Sequence, residues 1–352
     1  MTLPLGANLG VFAALCCVIW VTGTRLTKAC DELSRRLAIS REAMGFVFLA
    51  LVTQLPEVVT NSTGAIRGDG ELVVNSMFGG VLMQTAVLAG ADLALPRHAL
   101  TFAARASITL LQAALLAGLL AVALGISVVG DTAIYSTDSG YAVGWAPLLL
   151  AVLYVAALRT LFLYEDNQAW QTVRDEQSES QDQSALSSQL RPLENHSTKR
   201  LVAESAGAAG AIFVCGVGVV RVSEAVAVQS GLGSSFIGAT LLASATSLPE
   251  FSTTVAAVRL RAYSMAISDI MGSNAVMLVL LLPSDLLYSE GLLFDSIDAS
   301  GKFSLAIGIL VTCVYLIGLV RRSSRRYFGL GSDSWVVLLC YGAALVGLYQ
   351  LR

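Results

Sequence analysis

Residues 49–84 read LALVTQLPEVVTNSTGAIRGDGELVVNSMFGGVLMQ, and residues 242–277 read LASATSLPEFSTTVAAVRLRAYSMAISDIMGSNAVM. Both carry Ala-x-x-Thr-x-Leu-Pro-Glu, and both place a small pair beyond it, Gly79-Gly80 in one and Gly272-Ser273 in the other. Glu57 precedes Gly80 by 23 residues and Glu250 precedes Ser273 by 23, so the copies align without a gap. Proline and glutamate are rare in apolar runs, and their coincidence marks an internal repeat.

The surroundings of the repeat are apolar. Of 352 residues, 55% are hydrophobic and 13% charged, with mean hydropathy +0.70. Soluble domains carry about a quarter charged residues. This composition excludes a soluble enzyme, a disordered chain and a nucleic-acid binder, and indicates an all-α polytopic membrane protein. Ten apolar runs reach spanning length: 7–23, 43–66, 71–91, 99–128, 142–163, 201–221, 235–258, 263–283, 303–320 and 334–350. The third is rather polar, with Asn75, Ser76 and Gln84. No basic stretch precedes the first run, which reads as a retained span. The six cysteines form no CxxC pair or His-Cys cluster, so neither a zinc site nor a disulfide framework is expected.

With ten spans, 18 of the 22 Lys and Arg residues fall on one face, including Arg25, Arg36, Arg41, Arg259 and Arg322. Only Arg67, Arg221, Lys302 and Arg352 fall on the other. Basic residues stay on the cytoplasmic side, so both termini are expected outside it. Residues 165–199, rich in Gln, Ser and acids, read as a hydrophilic cytoplasmic loop between a first half, 1–164, and a second half, 200–352. Span 2 then runs outward and span 7 inward. The halves are inverted relative to each other, a construction typical of secondary transporters.

Glu57 and Glu250 lie near the middle of their spans. An ionised carboxylate in hydrocarbon costs roughly 3 kcal/mol or more. Two at matching positions call for a cavity and a compensating cation, the alternative being protonated carboxyls that only join helices. Pro56 and Pro249 each free a carbonyl four residues earlier, at Val52 and Ala245, unless they serve only as packing kinks. With Thr53 and Thr246 this makes an all-oxygen donor set suited to a hard cation such as Ca²⁺. Ser76, Gly80 and Gln84 share one face of span 3, and Asp269, Ser273 and Met277 share one face of span 8. Ser273 and Gln84 are candidates to complete the shell, although Gln84 and Asn274 suit helix bridging equally well.

These residues resemble the α-repeats of the sodium/calcium exchanger family, most closely in Ala243-x-x-Thr246-Ser247-Leu248-Pro249-Glu250 and Gly272-Ser273-Asn274. The resemblance implies Glu57 and Glu250 as central Ca²⁺ ligands. It implies backbone carbonyls from Thr53, Thr246, Ala50 and Ala243, and hydroxyls from Ser247 and Ser273. Three positions depart from the family pattern. Gln54 and Gly80 stand where serines are usual, and Met277 stands where a carboxylate or amide is usual. Asp269, on the same face as Met277, is a candidate to compensate, or else makes a simple inter-span hydrogen bond.

Two carboxylates carry a charge of −2, which one Ca²⁺, two Na⁺ or two protons neutralise. The expectation is a secondary antiporter exchanging Ca²⁺ for Na⁺ or H⁺ by alternating access, with no cofactor, and with inorganic cations and the lipid bilayer as partners. The alternatives are exchange of another divalent cation and a non-transporting ion-sensing protein of the same fold. An intramembrane hydrolase lacks the expected motifs.

Overall fold

The computed structural model describes residues 4–95, 98–104, 106–137, 141–166, 196–230 and 246–351. It is built almost wholly of helices: α1 (Leu5–Leu37), α2 (Arg41–Thr53), α3 (Leu55–Ile66), α4 (Gly70–Ala91), a short α5 (Leu100–Ala103), α6 (Ile108–Val129), α7 (Trp145–Asp166), α8 (Thr198–Ser230), α9 (Leu248–Arg259), α10 (Tyr263–Val279), α11 (Leu281–Leu287), α12 (Ala299–Arg321) and α13 (Ser332–Leu351). Two small antiparallel hairpins join them, β1 (Ala133–Ser136) with β2 (Ala142–Gly144) and β3 (Arg326–Tyr327) with β4 (Leu330–Gly331).

Among the described residues eight helices are long and apolar enough to cross a membrane, or nine if the bent pair α2–α3 is one span. The expected third span is among them, its polar residues lying in a helix that is largely buried. The expected span 235–258 is seen only from residue 246 onward, and most of the 165–199 segment lies outside the described residues. The span expected over 99–128 is shorter than its apolar run: Ala104 takes extended backbone, and the long helix begins at Ile108. Arg105 and Ser107 interrupt the run there. Large apolar side chains such as Val155, Ile317, Leu339 and Val346 are exposed, as a lipid-facing surface requires.

The chain forms two compact units, each drawing on both halves of the sequence: residues 1–57 with 172–270, and residues 58–171 with 271–352. In the first unit α1 packs along α8 and α9. Ile19 and Val219 form a buried centre, with Phe12, Leu15 and Leu248 against it. Small residues allow the helices to approach closely. A Cβ on Gly216 of α8 would lie 2.4 Å from Pro56 Cγ, so α8 can pass over the proline only as glycine. In α2 the segment Met44–Leu49 is π-helical, and a Cβ on Gly45 would meet the Met265 carbonyl of α10 at 2.6 Å.

In the second unit α12 packs against α4, α6 and α13. Buried carboxylates tie its connections. Asp92 accepts hydrogen bonds from Leu100 N–H at 2.7 Å, Gly331 N–H at 2.5 Å and the Ser334 hydroxyl at 3.0 Å. Asp285 accepts from Gly144 N–H at 2.9 Å and Leu293 N–H at 3.0 Å. Buried backbone donors at these helix ends thereby gain partners they would otherwise lack.

Candidate functional site

Each Leu-Pro-Glu motif begins a new helix directly after a break. Gln54 closes α2 at φ −80°, ψ −2°, and Ser247 precedes α9 at φ −83°, ψ 2°. The two aligned positions therefore carry nearly the same backbone, and α2 and α3 meet at 47°. Proline is tolerated here because the first turn of a helix has N–H groups without intrahelical acceptors. The following glutamate consequently lies in the first turn of α3 (Glu57) and of α9 (Glu250), where the helix dipole favours negative charge.

Both glutamates are buried, Glu57 4% and Glu250 0% exposed, and near enough for their charges to interact. The Gln54 side-chain amide donates to Glu250 Oε1 at 3.0 Å, and the Thr53 hydroxyl reaches the same carboxylate. The Ala50 carbonyl accepts from Gln54 N–H at 3.2 Å and lies 3.3 Å from the Thr53 hydroxyl. The one proton of the Thr53 hydroxyl can serve only one acceptor, and the carboxylate is the stronger. On the far side of the amide, Gln54 Oε1 is buried without a hydrogen-bond partner among the described residues, as is Glu57 Oε2.

Asp269 of α10 is fully buried and close enough to act on Glu250. Its Oδ2 accepts from the Thr253 hydroxyl at 2.6 Å, while Oδ1 has no hydrogen-bond partner among the described residues. The inter-helix hydrogen bond read from the sequence is therefore present, and one oxygen is left over. No three His, Cys, Asp or Glu side chains gather closely enough to hold a metal ion among the described residues. Any ion here would rely on hydroxyl, amide and carbonyl oxygens beside the carboxylates.

The structure thus brings Glu57, Glu250, Thr53 and Asp269 into one neighbourhood. Ser247 is buried at the break before α9, Thr246 is half-buried beside it, and Ala243 lies outside the described residues. Ser273 and Gln84 are fully buried in the second unit. There Asn274 Nδ2 donates to the Thr85 hydroxyl at 3.1 Å, which is the bridging role weighed for it. A Cβ on Gly80 would lie 2.6 Å from Met277 Cε, so the thioether methyl fills the room a serine there would need.

Two residues escaped the reading of the sequence. Asn61 follows Glu57 by one turn and Thr254 follows Glu250 by one turn, at aligned positions of the repeat. Both are buried, and neither the Asn61 amide nor the Thr254 hydroxyl has a hydrogen-bond partner among the described residues. The i, i+4 spacing from each glutamate was the available signal.

Comparison with known proteins gives these positions a context. The sodium/calcium exchanger protein family profile matches residues 7–162 and 205–351. Among curated proteins none matches the chain. The structure of the sodium/calcium exchanger from Methanococcus jannaschii superposes with a TM-score of 0.66 at 16% identity, covering 99% of each chain. A structure of the sodium-calcium exchanger NCX_Mj soaked with 2.5 mM Na⁺ and 0.1 mM Sr²⁺ gives 0.71 at 14% identity, over 99% of this chain and 100% of that one. At such identities the likeness is one of fold. The family profile spans most of the sequence in two stretches, each holding one Leu-Pro-Glu motif, and this multi-pass membrane protein, a cation antiporter and not an enzyme, belongs to the sodium/calcium exchanger family.

Proposed function

We propose that the chain exchanges Ca²⁺ for Na⁺ or H⁺ at a site near the membrane midplane centred on Glu57 and Glu250, with the two five-span halves acting as an inverted repeat. The observation that carries this reading is the buried pair of interacting carboxylates at the first turns of two broken helices. A charge of −2 in a low-dielectric interior is strongly unfavourable alone and is neutralised by one divalent or two monovalent cations. An empty site is therefore a poor candidate for crossing between states, and a loaded one a good candidate. That difference couples the two fluxes without ATP.

Gln54 has a defined part in this scheme. Its amide N–H₂ donates to Glu250 and so partly offsets the charge there. An arriving cation displaces this donor, and rotation of the amide presents its unpartnered oxygen instead. Thr53, Ala50, Thr246, Ser247 and Asp269 are further ligand candidates, with Ser273 and Ala243 contributed by the resemblance and Gln84 by the helix face it shares with Ser76 and Gly80.

Reconstituted vesicles test the proposal. Ca²⁺ uptake should follow an imposed Na⁺ or pH gradient, and Glu57→Gln and Glu250→Gln should each lower it by at least about a hundredfold, as expected when an ion loses a buried charged ligand. Near-normal uptake in either variant removes the mechanism. Imposing the two gradients separately identifies the counter-ion.

The Met277 methyl over Gly80 favours a second reading, an ion sensor with too few polar ligands to complete a transport cycle. Calorimetric Ca²⁺ binding without gradient-driven flux distinguishes it.

A further inference from the structure

In the first unit a cavity of about 150 Å³ opens between α1 and α9, away from the paired glutamates. Trp20, Thr24 and Lys28 line it from one face of α1, and Val255 and Arg259 line it from α9. The four-residue spacings place these side chains one turn apart on each helix. We propose that this groove binds an anionic phospholipid, its phosphate held by Lys28 and Arg259 and its glycerol and upper acyl chains lying toward Trp20.

The charge pattern sets the depth. No charged residue occurs before Arg25, and none lies between Glu250 and Arg259. Lys28 thus stands one turn past the end of the uncharged stretch of α1, and Arg259 ends the uncharged stretch that follows Glu250, the level at which a helix leaves hydrocarbon for headgroups. Trp20 lies two turns, roughly 12 Å, deeper along α1 and packs on Phe251 with ring centroids 5.6 Å apart. The groove is therefore basic at its mouth and aromatic and apolar below. That gradient matches a phospholipid, and a free phosphate ion would leave the lower part unused.

The cations are also available. The nearest acids along α1 are already engaged, Asp31 with Arg41 at 2.6 Å and Glu32 with Arg36 at 2.6 Å and Arg35 at 3.1 Å. Neither Lys28 nor Arg259 has an ion-pair partner among the described residues. Basic pockets between membrane helices at the headgroup level bind acidic lipids through this chemistry.

The test uses the full-length protein in mixed phosphatidylglycerol and phosphatidylcholine, with retained lipid counted by native mass spectrometry. Phosphatidylglycerol should be retained over phosphatidylcholine. The double variant Lys28→Gln, Arg259→Gln should weaken that retention about thirtyfold, while Lys302→Gln leaves it unchanged. Unchanged retention in the double variant overturns the proposal. Equal retention of phosphatidylcholine, or displacement by millimolar inorganic phosphate, overturns it as well. Should the double variant fail to fold, brominated phosphatidylglycerol decides the matter in the native protein. It should quench the fluorescence that Trp20→Phe removes, and brominated phosphatidylcholine should not. None of these readouts requires ion transport.

Discussion

Gln54 shows how one residue alters a site without leaving it. Its amide is the neutral donor on a buried carboxylate. Replacing it by leucine removes a hydrogen bond to a charged group and should cost about 1.5–3 kcal/mol in thermal unfolding of the purified protein. Saturating Ca²⁺ should raise the melting temperature less in Gln54→Leu than in the native chain, since leucine offers the ion no oxygen. Equal Ca²⁺ shifts in both proteins place Gln54 outside the ion site. Asn61 gives the opposite pattern. It has no protein partner to lose, so Asn61→Leu should leave stability within about 1 kcal/mol while lowering ion flux in vesicles. Unchanged flux confines Asn61 to packing. The two glutamates were legible because Pro-Glu inside an apolar run is costly and occurs twice. The partner of Gln54 was not, because residue 54 meets residue 250 only through the packing of the broken helices.

Among the elements, the breaks follow from local chemistry and the close approaches do not. Proline after Leu55 and Leu248 announces the restart of each helix, whereas the π-helical stretch of α2 leaves no mark in the composition. Gly216 reads as one more small residue until α8 is seen lying on Pro56. Gly216→Val should overpack that crossing and cost about 1–3 kcal/mol, seen as a lower melting temperature. The break before Ile108 was obscured because apolar residues continue on both sides of Arg105. At the start of α12, Asp298 caps the helix by accepting from Gly301 N–H at 2.8 Å. Burial alone would raise its carboxyl, but the hydrogen bonds from Gly301 and Ser300 outweigh burial and hold it below the usual range. Such a group stabilises the fold above its unfolded value, near 3.9, and that contribution is lost as pH falls through the lower folded value. Asp298→Ala should therefore cost about 1 kcal/mol at neutral pH, and the difference from the native chain should vanish on strong acidification.

At the level of the whole molecule, composition alone identified a multi-pass helical protein, and the charge asymmetry predicts an orientation. Cysteines placed at Lys302 and Arg325 should react with an impermeant thiol reagent from opposite sides of sealed vesicles; labelling of both from one side refutes the ten-span topology. The repeat also divides less simply than the sequence order implies, since each compact unit takes segments from before and after the 165–199 segment. The π-helical stretch Met44–Leu49 bears on how such a molecule moves. A wide turn stores one surplus residue, and a surplus can migrate along a helix by exchanging one hydrogen bond for another. Each residue the surplus passes is turned through about 100°. Thr53 and Gln54 follow immediately, so a dislocation travelling a single turn would re-aim them without unwinding the helix that carries them.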